Sequence, residues 1–241
     1  QKAADLGSAD AMAGLGDAYA NELGVAKDET VAIQWYRKAA EAGNVAAISN
    51  LGARYFSGQG VVKDETMAVQ WFRRGAELGD ANAMNKLGAA YGKGMGVAKD
   101  EVVALQWYQK AAEAGNVTAM VNLGTRYRLG RGVTKDEAMG VQWYRKAAEQ
   151  GLPQAQVNLA IMYEEGQGVP PDYAQAYFWY ALADAQGDSQ APQAKQDVAK
   201  KMTPAQLEEV ERRIKEFKAA HPFRIPPQPA PQSDTPHGGN N

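Results

Sequence analysis

The five tryptophans of this chain, Trp35, Trp71, Trp107, Trp143 and Trp179, stand 36 residues apart. Each opens a variant of one decapeptide, from WYRKAAEAGN at the first to WYALADAQGD at the last. Self-similarity at a fixed period of about 20–50 residues marks a repeat architecture, in which one small unit recurs and buries its apolar face only by stacking on its neighbours. Five copies can be cut at residues 8–43, 44–79, 80–115, 116–151 and 152–187. Each carries an early alanine (Ala11, Ala47, Ala83, Ala119, Ala155), a leucine four residues on (Leu15, Leu51, Leu87, Leu123, Leu159) and a tyrosine four further (Tyr19, Tyr55, Tyr91, Tyr127, Tyr163). A glycine-rich loop ending in Gly-Val, a Lys-Asp or Pro-Asp step, an alanine and the Trp block complete the copy.

The spacings within a copy predict two helices. In the second copy Ala47, Ile48, Leu51, Gly52 and Tyr55 share one face at helical intervals, and Ala68, Trp71, Phe72 and Ala76 share another after the loop SGQGVVKD. Asp64 stands where an N-cap belongs, its carboxylate set to accept the unpaired N–H groups of a helix start, and Gly79 stands where a chain leaves a helix. Gly52 and Ala68 let two backbones approach, with Tyr55 and Trp71 filling the space between them, so each Trp reads as a core wedge. Glu22 replaces the first loop glycine found at Gly58, Gly94, Gly130 and Gly166, and the first loop is therefore expected to differ in shape.

Two segments, AAISNLGARYFSGQGVVKDETMAVQWFRRGAELG and TAMVNLGTRYRLGRGVTKDEAMGVQWYRKAAEQG, carry the motif almost intact. Over residues 1–187 the chain resembles the Sel-1-like repeat family, a relative of the tetratricopeptide repeats. The resemblance implies an all-α fold: a right-handed α-solenoid of stacked antiparallel helix pairs, with the first helices lining a concave groove. It also implies a scaffold that holds a protein or an extended peptide, in bacteria often in the periplasm; the residues themselves suit the cytoplasm equally.

The ends depart from the repeat. Residues 188–200 keep Ala191 but place Lys195 and Ala199 where Leu and Tyr belong. MTPAQLEEVERRIKEFKAA then offers Thr203 as N-cap, Pro204 at the first helical position, Gln206 for a capping box and an apolar stripe of Leu207, Val210, Ile214 and Phe217. Residues 188–220 are expected to be capping helices that cover the last repeat, and residues 221–241, rich in Pro, a disordered tail. At the other end QKAADLG aligns with RKAAEAG, so residues 1–7 read as the remnant of a truncated repeat.

Composition excludes several chemistries. A net charge of -2 gives no basic surface for nucleic acid, no apolar run reaches the roughly 20 residues of a membrane span, and the absence of cysteine removes disulfides and thiolate sites. Both histidines, His221 and His237, lie outside the repeats, so no helix of a repeat presents an imidazole to an acid–base reaction or a metal. The GxG loops have no preceding strand and no following Gly-Lys-Ser/Thr, which makes them chain reversals rather than phosphate cradles. The Asp-Glu pairs recur in every one of the first four copies, as helix caps should and a catalytic pair should not. The sequence therefore predicts no catalytic residue, no metal and no cofactor. A hydrolase or β-lactam-binding role, associated with cysteine-rich relatives, lacks a Ser-x-x-Lys motif here and any nucleophile beside a base.

What varies between copies is where function is expected. Projecting the first helices at about 100° per residue places Asn50, Arg54, Lys86, Val121, Asn122, Arg126, Val157, Asn158 and Ile161 on the face away from the helix pair. Asparagine amides can both donate to and accept from a peptide backbone, and apolar residues bordered by Arg and Asn suit a binding groove. The expected function is a non-enzymatic, monomeric scaffold with a protein or peptide in this groove. The alternative, implied by the resemblance to Sel-1-like repeat proteins, is an immunity protein that neutralises a secreted bacterial effector such as a lipase. A third reading has RIPPQPAP docking elsewhere as a polyproline II segment.

Overall fold

The computed structural model describes residues 7–221, which form twelve α-helices and no strand. The predicted repeat remnant, except Gly7, and the Pro-rich tail with His237 lie outside the described residues. Helices alternate as first and second members of a pair: α1 (Ala9–Asn21) with α2 (Glu29–Glu41), α3 (Val45–Ser57) with α4 (Glu65–Glu77), α5 (Ala81–Lys93) with α6 (Glu101–Glu113), α7 (Val117–Leu129) with α8 (Glu137–Glu149), and α9 (Pro153–Glu165) with α10 (Tyr173–Asp184). Two further helices follow, α11 (Ala191–Ala199) and α12 (Pro204–Ala220). The fold is an all-α solenoid of helix pairs, and the described residues divide into two compact units, unit 1 up to residue 143 and unit 2 from residue 144.

Local chemistry sets the helix ends. Asp28, Asp64, Asp100 and Asp172 each accept a backbone N–H from the first turn of a second helix. Ser8, Asn44, Asp80 and Asn116 do the same for the first helices α1, α3, α5 and α7. First helices stop on a left-handed residue whose N–H returns to the last turn, Gly58 at φ 76° and Gly94 at φ 74° among them. Glu22 takes this conformation as well, at φ 60° and ψ 34°. The expectation of a differently shaped first loop is thus corrected: the glutamate adopts the glycine geometry against its steric preference.

Within unit 1 every second helix packs between the first helix of its own pair and that of the next. Leu51, Leu87 and Leu123 are fully buried, as are Ala47, Ala83 and Ala119. In the first three pairs the wedge is the aromatic that follows the tryptophan, not the tryptophan. Tyr36 lies on Gly16, Phe72 on Gly52 and Tyr108 on Gly88, so closely that a methyl group on those glycines would sit 2.5–2.8 Å from the ring. Trp35, Trp71 and Trp107 are only half-buried, with Trp71 and Trp107 packed on the rim of the core. The 36-residue spacing therefore marks the element, while the depth belongs to its neighbour. The repeat tyrosines Tyr91 and Tyr127 are fixed through their hydroxyls: Arg73 donates to Tyr91 Oη at 2.7 Å and Gln109 to Tyr127 Oη at 3.4 Å.

In unit 2, α10 is buried on nearly all sides, from Ala176 to Ala183. Both α11 and α12 pack on it. Val210 and Ile214 of α12 are buried, and Phe217 stands edge-on to Phe178 at 5.5 Å. Thr203 and Gln206 complete the expected capping box. Lys195, standing where the repeat has leucine, forms an ion pair with Asp184. A second anchor joins α12's preceding turn to α9, with Lys201 Nζ 2.9 Å from Glu164, whose other oxygen accepts from Tyr180 Oη at 3.1 Å.

Candidate functional site

The first helices of unit 1 are tied side by side through short polar side chains. Asn44 Nδ2 donates to Asp10 at 2.7 Å, Asn116 Nδ2 to Asn82 Oδ1 at 2.8 Å and Asn122 Nδ2 to Asn85 Oδ1 at 3.0 Å, while Ser49 Oγ donates to Asp80. This seam runs along the face on which the sequence placed Asn50, Lys86, Val121 and Asn122. Asn50, Val121 and Asn122 are half-buried there and Lys86 is exposed.

Arg54 and Arg126 lie deeper. Arg126 is 8% exposed; its guanidinium pairs with Glu101 at 2.5 Å and stands 4.9 Å from the centre of the Tyr108 ring. Arg54 repeats the arrangement two copies earlier, paired with Glu29 and 5.6 Å from the Tyr36 ring. In both, an arginine on a first helix reaches the opening residue of the preceding second helix, 25 positions back. The hydrogen bond from Arg126 holds the Glu101 carboxyl below the usual carboxylate range, and burial raises the Tyr108 hydroxyl above its ordinary value. Arg126, expected to line the groove, is largely buried against a π face and a carboxylate and so also clasps one repeat to the next. Gly92 makes room for it, since a methyl group there would lie 2.3 Å from the guanidinium.

Two clefts flank α5 within unit 1. One, of about 160 Å³, is lined by Ala89, Lys93, Asn122, Thr125, Arg126 and Arg131 among others. The other, also about 160 Å³, is apolar, between α3 and α5, with Phe56, Phe72, Ala90 and Met95 in its walls. Sequence reasoning missed Phe56, Ala90 and Arg131, because it compared exposed positions rather than the partners facing them across a repeat boundary. The signal was available as a Glu–Arg pair 25 residues apart in copies two and four only.

In unit 2 the expected residues divide. Asn158 and Ile161 are half-buried on α9, and Asn158 accepts from Gln154 at 3.3 Å. Val157 is 3% exposed and belongs to the core; its neighbour Gln156 is also buried, donating to Ala148 O and accepting from Gln186. Val157 is corrected from groove to interior: α9 is covered on more sides than the earlier first helices, so its surface stripe is narrower. No group of three or more acidic or histidine side chains able to hold a metal occurs among the described residues, and no described helix is long and apolar enough to cross a membrane.

No curated protein matches the sequence. Among solved structures, a Sel1 repeat protein from Oxalobacter formigenes is similar at 39% identity, with 77% of this chain and 76% of that one covered and a TM-score of 0.72. The fold is shared with two proteins of Pseudomonas aeruginosa described as immunity proteins. PA5088 shows 22% identity over 92% of this chain and 88% of its own, TM-score 0.54; Pa5087 shows 23% over 88% and 81%, TM-score 0.53. The Sel1 repeat itself matches five consecutive segments, 9–44, 45–80, 81–116, 117–152 and 153–188. With helix pairs, capped ends and a repeat match over most of its length, this chain belongs to the Sel1 repeat family.

Proposed function

We propose that the chain is a non-enzymatic scaffold that holds a protein or an extended peptide segment along the first-helix face of unit 1. Sel1 repeat proteins are protein-interaction scaffolds, and this face is the part of the repeat that the frame leaves variable. The observation that carries the reading is the half-buried Asn85–Asn122 pair, whose Asn122 lines the first of the two clefts. Its one hydrogen bond leaves Asn122 Oδ1 and Asn85 Nδ2 unengaged by protein, an acceptor and a donor matched to the two polar groups of a peptide unit.

The test is affinity capture from the source organism with the wild-type chain and with an Asn50→Ala, Asn85→Ala, Asn122→Ala variant of unchanged circular dichroism. A partner held by the first and lost by the second supports the face. A partner held equally by both overturns it. The narrower reading, an immunity protein, draws on the descriptions of the two Pseudomonas relatives. It expects one stoichiometric partner whose own activity falls on binding, and a set of several weakly held partners would exclude it.

A further inference from the structure

The apolar cleft beside α5 exists because one clasp is missing. In copies two and four the boundary slot holds Arg54 or Arg126, each facing a small residue of the preceding first helix, Ala20 or Gly92, and each lying over a tyrosine. In copy three the slot holds Ala90, the facing residue is Phe56 and the ring beneath is Phe72. Glu65, the counterpart of Glu29 and Glu101, is left with Lys63 alone at 2.8 Å. The guanidinium and the tyrosine hydroxyl of the clasp are gone from the slot, and what remains is a mainly apolar opening of about 160 Å³, with Phe56 exposed at its edge and Lys63 5.9 Å from that ring. A dry cavity of about 150 Å³ accommodates benzene, so this opening takes one side chain of leucine or phenylalanine size.

Lys86 and Lys93 border the opening. They are seven residues apart, two helical turns, so they share a side of α5 and are separated by about 10 Å along its axis. Both are exposed, and among the described residues neither has an ion-pair or hydrogen-bond partner. Two carboxylates, one at each end of the opening, would neutralise both cations without bending either stem across it. In an extended segment, residues two positions before and after a given side chain share its face and are about 13 Å apart, a span that the flexible lysine stems can match.

Building on the groove reading above, we infer that this cleft receives an apolar side chain of a partner's extended segment, flanked at the second position on each side by an acidic residue that pairs with Lys86 or Lys93. The partner motif is acidic–x–apolar–x–acidic, and it lies along α5.

The probe is an end-blocked, fluorescent heptapeptide, Ser-Asp-Ser-Leu-Ser-Asp-Ser, titrated with the full chain by anisotropy. Replacing its Leu by Gly, or both Asp by Lys, is expected to weaken binding at least tenfold. Ala90→Met, which installs the copy-five residue in the slot and fills it, gives a similar loss. Lys86→Glu with Lys93→Glu, two exposed positions that leave the fold intact, reverses the preference so that the Lys peptide binds better than the Asp peptide. Absence of saturable binding to the folded wild type, or binding unchanged by Ala90→Met, overturns the inference. So does displacement of the peptide by decanoate or by self-association of the chain, which would assign the cleft to a lipid or to a second copy. Failure here, with partner capture still sensitive to Asn50, Asn85 and Asn122, removes the cleft motif alone and leaves the scaffold reading standing.

Discussion

At the scale of single residues, glycine and its substitutes separate geometry from packing. Glu22 holds φ 60° where the other first loops have glycine, and Glu22→Gly is expected to raise stability by about 1 kcal/mol by relieving the left-handed backbone. Urea unfolding at neutral pH measures it. Gly88→Ala has the opposite sign: its methyl group would meet the Tyr108 ring at 2.8 Å and cost about 1–3 kcal/mol in displaced packing. The Arg126 clasp carries a pH signature. Arg126→Met removes hydrogen bonds to a carboxylate, for an expected loss of about 1–3 kcal/mol at pH 7. Because the folded Glu101 carboxyl is held below its unfolded value, the clasp contributes fully above about pH 4.3 and is lost as pH falls through the depressed value. The gap between wild type and variant therefore narrows under acid; a gap constant from pH 7 to pH 2.5 would show that the carboxylate plays no part. The repeat phase, the caps and the core leucines were legible in the sequence because each obeys a local rule. The depth of Tyr36, Phe72 and Tyr108 relative to their tryptophans was not, since adjacent aromatics on a helix give no sign of which one meets a glycine across the pair.

At the scale of elements, the helix ends and the final cover were the most legible parts. The capping box of α12 was readable from Thr203 and Gln206 because it is closed by residues three apart. Thr203→Ala is expected to cost about 1 kcal/mol in a thermal melt. Its apolar stripe was also readable, and Val210 and Ile214 bury against α10 as the helical period requires. The candidate face was legible only in outline. Asn50, Asn122 and Lys86 stay at the surface, whereas Arg126 and Val157 sink, because exposure on a first helix depends on what the next copy places against it. A helical projection sees one helix at a time.

At the scale of the whole molecule, the packed pairs of unit 1 are consecutive helices, so stability there is a sum of neighbouring terms. Native-state hydrogen exchange on Gly88→Ala is accordingly expected to show its largest loss of protection in α5 and α6, with smaller changes in α1 and α2. Uniform loss over the unit would mean that the pairs unfold as one block.

The slot at each repeat boundary behaves as a socket that a plug can close. Arg54 and Arg126 are plugs, and Ala90 leaves its socket open. The two states differ by a pair of residues, one in the slot and one facing it, without any change to the frame. Gly92→Phe with Arg126→Ala would open a second socket one copy beyond the first. If the cleft beside Ala90 receives a partner's apolar side chain as inferred above, the pattern of plugs along the repeats sets where, at intervals of one helix pair, such a side chain can enter.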